Sequence, residues 1–198
     1  MNERERVRAF FAVPSDPGWI DSARGLLDRI RPTLPEASWT RPETWHLTLR
    51  FLGDVSREFL AAFGAEVSLA VAGCASLDLS TGAAVVFPPR GPARVLGVGF
   101  GPEVAGLSGL VAQAERIGTR LGLAPEPRPF HPHVTFARLR RGWPVEAIRR
   151  FCEHVGGWTF PVWPVRSCAV YESRLTPQGA VHTPVSRWDL AAPAGISA

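Results

Sequence analysis

The chain has 198 residues, 45% of them hydrophobic and 20% charged, which suits a globular protein with a substantial apolar core, built as one domain or two intimately packed lobes. Every one of its 22 basic residues is Arg, and a net charge of +4 permits an anionic partner such as RNA without demanding one. Cys74, Cys152 and Cys168 are odd in number and widely spaced, which argues against a disulfide framework or a structural zinc site; a charged N-terminus and the lack of any long apolar run predict a cytoplasmic protein with no membrane span.

Taken in order, Val7 to Val13 predicts a buried first strand stopped by Pro14. Ser15 or Asp16 can cap a helix through Trp19, Ile20, Ala23, Leu26, Leu27 and Ile30, which fall at helical spacing. Ser38-Trp39-Thr40 reads as a short strand, and a turn at Arg41-Pro42-Glu43 leads into a longer one from Trp45, closed by Gly53. Ser56 caps a second helix, Arg57 to Ala72. Leu77–Leu79, Ala83–Phe87 and Arg94–Phe100 are strand-like, and a third helix runs from Glu103 to Leu121 before Gly122. A Pro-rich stretch leads to a strand at His133, Pro144 opens a fourth helix, and Thr159–Val162, Val165–Tyr171 and Val181–Leu190 alternate as strands. The domain is predicted over residues 1–190, with 191–198 a loose tail.

Two of these strands carry the same pattern. In His46-Leu47-Thr48-Leu49 and again in His133-Val134-Thr135-Phe136, a His and a Thr share one face of a strand while apolar residues back it. On strict alternation Leu47, Leu49 and Phe51 occupy one side of the first strand, and Arg50 lies on the side of Thr48. The same alternation puts Arg138 opposite His133, so that it reaches the cleft only through a bulge or a strand end. Each motif strand precedes a helix, which reads as an internal structural duplication with the two motifs facing across a cleft. The chain has only 5 His, so the repetition is its organising feature.

This pair of residue types suits in-line displacement at phosphorus. One His takes a proton from water, a second gives one to the departing oxygen, and the ordinary His pKa near ~6.5 lets both states coexist near neutrality. Thr48 and Thr135 can donate hydrogen bonds to non-bridging oxygens, where charge accumulates. No metal or other cofactor is required. A rival reading joins His46 to His131-Pro132-His133 as metal ligands, but no Asp, Glu or Cys adjoins either motif.

The paired motifs, together with Trp45–Gly53, Arg128–Arg138 and Tyr171-Glu-Ser-Arg-Leu175, resemble those of the two-histidine phosphoesterases, and within them the RNA 2′,3′-cyclic phosphodiesterases first described as 2′-5′ RNA ligases. The likeness runs from Arg8 to Leu190. It implies an α+β fold of two pseudo-symmetric lobes, antiparallel sheets with outer helices around a central cleft. It implies hydrolysis of 2′,3′-cyclic phosphate RNA ends to 2′-phosphates, with His46 the proton donor and His133 the acceptor, and a possible reverse ligase activity. Arg138 matches an Arg after the family's second motif, while a Trp usual in the family near Leu96-Gly97-Val98 is missing. Arg138, Arg50 and Phe130 are the candidate substrate contacts, with RNA or a small cyclic nucleotide as partner and a monomer expected. Relatives of this kind also act on ADP-ribose cyclic phosphate, and a catalytically idle RNA-binding module is the reading from another class.

Overall fold

The computed structural model describes residues 6–177 and 179–192, with the side chain of Glu103 set aside. The first strand, β1 (Arg6–Pro14), buries Val7, Ala9, Phe11 and Val13 on one face. Asp16 caps helix α1 (Pro17–Ile30), its side chain accepting the Trp19 N–H at 3.0 Å. The short strand β2 (Ser38–Trp39) precedes the first motif strand, β3 (His46–Ser56). Ser56 accepts the Phe59 N–H at 3.2 Å and starts α2 (Arg57–Val71). Strands β4 (Leu77–Leu79), β5 (Thr81–Phe87) and β6 (Val95–Phe100) follow. Helix α3 (Ala105–Arg120) ends before Gly122, whose φ of 96° suits glycine alone. The second motif strand is β7 (His133–Arg138), followed by α4 (Val145–Gly156), β8 (Trp163–Val165), β9 (Ser167–Thr176) and β10 (Gly179–Asp189).

Three local expectations change. Gly53 does not close the first motif strand, which continues to Ser56 with Gly53 at φ 73° beside a bulge. The strand expected over Thr159–Val162 forms instead at Trp163–Val165, where it pairs with β4. The tail predicted from residue 191 is tied down at its first residue, because the Ala191 carbonyl accepts the Ser76 N–H at 2.7 Å and its own N–H reaches the Cys74 carbonyl at 2.9 Å. Residues 193–198 of that tail lie outside the described residues.

Two four-stranded sheets, in the orders β10-β9-β1-β3 and β2-β7-β6-β5, form the frame, and every pairing within them is antiparallel. Each motif strand neighbours the strand that precedes its sheet's first helix, so β6–α3–β7–α4 repeats β1–α1–β3–α2. The helices nevertheless do not stay with their own halves. Helix α1 leaves the first sheet and packs on the second, where Trp19 lies within about 6 Å of Phe100 and Phe136 between ring centres and donates its indole N–H to Thr81 at 2.8 Å. Helix α3 leaves the second sheet and packs on β3 and α2 of the first. One apolar cluster therefore includes residues of both sheets and all four helices, from Phe11 and Phe63 to Trp19, Phe136 and Phe151.

Candidate active site

The motif strands β3 and β7 approach to within 8 Å between Cα atoms without sharing a sheet, and their His and Thr residues face the gap between the sheets. Leu47 and Val134, the apolar residues between them, have no exposed surface and anchor each strand from behind. Both rings are held in the same way. The carbonyl of Thr44 accepts a hydrogen bond from His46 Nδ1 at 2.7 Å, and the carbonyl of His131 does the same for His133 Nδ1 at 2.7 Å. A carbonyl can only accept, so Nδ1 carries hydrogen in both rings and Nε2 is the atom free to give or take a proton.

The surroundings differ. His46 stacks on Phe10 at 4.4 Å between ring centres, and Phe10 in turn stacks on Tyr171 at 5.3 Å. His182 meets His46 edge-on at 5.1 Å. Burial, opposed by the Thr44 carbonyl and reinforced by the charges of His182, His133 and Arg138, holds the His46 pKa down to about 4. His133 lies against Phe87 at 4.9 Å, and burial lowers its pKa as well, opposed by the His131 carbonyl and reinforced by Arg138 and His131. Both shifts favour the neutral ring near pH 7. Tyr171 and His182 are the site's neighbours that motif reading missed. Tyr171 lies in the Tyr171–Leu175 segment that shares the resemblance, but no local pattern marks His182, because only the pairing of β10 with β9 brings it there.

A pair of equivalent bulges settles which later residues share the cleft. Along β3, Ala12 pairs with Thr48 and Phe11 with Arg50, so Leu49 is extra; along β7, Gly97 pairs with Thr135 and Leu96 with Ala137, so Phe136 is extra. A single inserted residue exchanges the faces of everything beyond it. Arg50 therefore points away from Thr48, contrary to the expectation from alternation. Its side chain is 7% exposed, pairs with Glu115 at 2.6 Å and Glu126 at 3.5 Å, and donates to the carbonyls of Phe51 and Ala124. Those ion pairs and carbonyl contacts hold the guanidinium on the side of the strand away from the cleft. Phe51 moves the opposite way and stands on the cleft face, paired with Phe10. On β7 the same device turns Arg138 to the cleft face, where its charge acts on both His46 and His133.

The second bulge is clamped by Thr40, whose hydroxyl donates to the carbonyls of Thr135 at 2.7 Å and Phe136 at 3.0 Å. Gly97 is the backbone's concession to it: a Cβ there would lie 2.1 Å from the Val134 carbonyl oxygen. The Trp that the resemblance led one to look for near this position has no room at residue 97. Phe130 is half-buried and packs against the core cluster, and Trp45 is buried between Trp19 and Phe136. Among the described residues no group of three or more His, Cys, Asp or Glu comes together in a metal-binding arrangement.

The family model described as "LigT like Phosphoesterase" matches residues 16–97 and 100–182, and each span holds one His-x-Thr motif. The chain belongs to the LigT-like phosphoesterases. Among curated relatives, the RNA 2′,3′-cyclic phosphodiesterase of Aeropyrum pernix is 31% identical over 79% of this chain and 88% of its own. The protein of the same name from Methanothermobacter thermautotrophicus is 27% identical over 90% of this chain and 96% of its own. The crystal structure of TT0787 of Thermus thermophilus superposes with a TM-score of 0.75 at 25% identity, covering 93% of this chain and 98% of that one. The α+β architecture of paired antiparallel sheets is therefore the LigT-like fold. Among the described residues no helix is long and apolar enough to cross a membrane.

Proposed function

We propose that this protein is an RNA 2′,3′-cyclic phosphodiesterase that converts cyclic phosphate ends to 2′-phosphates, acting as a single bilobal domain. The observation that carries the reading is the pair of His rings, each locked by a carbonyl into the tautomer that leaves Nε2 free, on two strands that face one gap. In that reaction His133 Nε2 takes a proton from water as the water oxygen bonds to phosphorus. The bond from phosphorus to O3′ breaks on the opposite side, and His46 Nε2–H gives its proton to the departing oxygen. The product is a 2′-phosphate and a free 3′-hydroxyl, with one proton moved from His46 to His133 through the reaction. Thr48, Thr135 and Arg138 supply donors and positive charge to the non-bridging oxygens, as their cleft-facing positions permit.

A His46 pKa of about 4 leaves little imidazolium near pH 7 until an anion lies beside the ring. The substrate phosphate reverses the balance, since an anion between the rings favours one positive charge, and a weakly basic imidazole is a ready donor once protonated. The names of the curated relatives support the substrate class. The decisive experiment incubates the protein, with EDTA present, with an oligonucleotide ending in a 2′,3′-cyclic phosphate and with free 2′,3′-cyclic nucleotides. Product carrying only 2′-phosphate is expected. A 3′-phosphate product contradicts the assigned leaving group, and activity abolished by EDTA contradicts the two-histidine chemistry.

A further inference from the structure

Phe51 and Arg8 have no part in that chemistry, yet they continue the face on which it occurs. The bulge at Leu49 brings Phe51 onto the cleft side of β3, where it pairs across from Phe10 and stays 48% exposed. Phe10 is the ring that stacks on His46, so the exposed aromatic stands one cross-strand neighbour away from the first catalytic His. Arg8 is the next residue of β1 on this face, and diagonal neighbours across a pair of strands lie about 7–8 Å apart. It is exposed, and among the described residues it makes no ion pair, not even with its cross-strand partner Asp54.

An aromatic left open in mid-strand contributes little to folding, but it is what a nucleic-acid strand stacks upon. The neighbouring guanidinium is the group that grips a backbone phosphate. The separation decides which nucleotide is meant. Phe51 lies five residues beyond His46, less one bulge, or roughly 13 Å at about 3.3 Å per residue, beyond the terminal ribose yet within reach of the nucleotide before it.

We propose that Phe51 and Arg8 form a subsite for the RNA strand just upstream of the cyclic phosphate, Phe51 stacking on the preceding base and Arg8 holding a backbone phosphate. This rests on the hydrolysis proposed above and adds its substrate class: oligomer ends are preferred to mononucleotides. The test compares kcat/KM for cytidine 2′,3′-cyclic phosphate and for a tetranucleotide ending in the same group, using the wild-type protein and Phe51→Ala, Phe51→Trp and Arg8→Gln. The wild type should favour the tetranucleotide. Phe51→Ala should lower its kcat/KM about 5- to 100-fold, and leave the mononucleotide within about twofold. Phe51→Trp should keep the preference, which separates stacking from misfolding. Arg8→Gln should flatten the salt dependence for the tetranucleotide alone. A wild type that hydrolyses both substrates without preference overturns the subsite and leaves the hydrolysis standing. Equal losses on both substrates place Phe51 against the terminal nucleoside and overturn the upstream assignment. A wild type that hydrolyses neither overturns the activity itself.

Discussion

His46 and His133 share a tautomer because each gives its Nδ1 hydrogen to the carbonyl two residues earlier, and they differ in what surrounds the ring. Replacing either by Ala should lower kcat by roughly 10²–10⁴ if each supplies one proton transfer, measured with the cyclic-phosphate oligonucleotide. The burial that depresses the His46 pKa also predicts how stability varies with acid. Unfolded, this His takes up a proton near ~6.5, whereas folded it resists until about 4, so the folded state loses stability as pH falls through that window and none above it. The loss reaches up to about 3 kcal/mol from this residue. Urea titrations at pH 7 and pH 4.5 should show a smaller drop for His46→Gln than for the wild type; equal drops remove the argument. Ring-nitrogen NMR titration should also show the His46 pKa rising when a 2′-nucleotide binds, since the phosphate offsets the burial penalty. His182 meets the His46 ring edge-on. His182→Gln should raise the His46 pKa in the same titration, because a neighbour that can become cationic is gone.

At the scale of the strand, the bulges at Leu49 and Phe136 do what neither motif does alone. Each turns the residue two places beyond the Thr inward and the residue three places beyond it outward, which buries Arg50 and Ala137 and presents Phe51 and Arg138. Arg50 then ties β3 to α3 through Glu115 and to the segment before β7 through Glu126. Arg50→Leu should destabilise the fold by about 2–3 kcal/mol in urea unfolding, below the usual loss for breaking a buried pair because both carboxylates keep some water. Gly97→Ala forces β6 away from the bulged β7 at the Val134 carbonyl. It should cost about 1–3 kcal/mol and reduce activity beyond what stability explains, because Thr135 pairs with Gly97 and shifts with it.

At the scale of the molecule, the exchange of α1 and α3 between sheets makes the two halves of the chain mutually dependent. Neither half can bury its sheet with its own helices alone, since Trp19 belongs to the first half and closes the core of the second. Thermal unfolding should therefore be one transition, coincident by Trp fluorescence and far-UV circular dichroism; two separated transitions would show lobes that fold independently. The same exchange fixes the distance between β3 and β7, and hence between the two His rings, through a shared core rather than through a hinge.

Much of this was legible in the chain itself. The His-x-Thr repeat, the capping residues Asp16 and Ser56, and the helical spacing of Leu107, Leu110, Ala114 and Ile117 are local signals, and local signals report local structure. So the two motif strands, the four helices and the His and Thr candidates could be named without coordinates. Tertiary structure decided what lies opposite what. Strict alternation carries a residue's face along a strand only until an extra residue enters, and whether one enters depends on the neighbouring strand's register, which no motif records. That is why Arg50 left the cleft while Phe51 and Arg138 came into it, and why His182, with no pattern of its own, stands edge-on to His46.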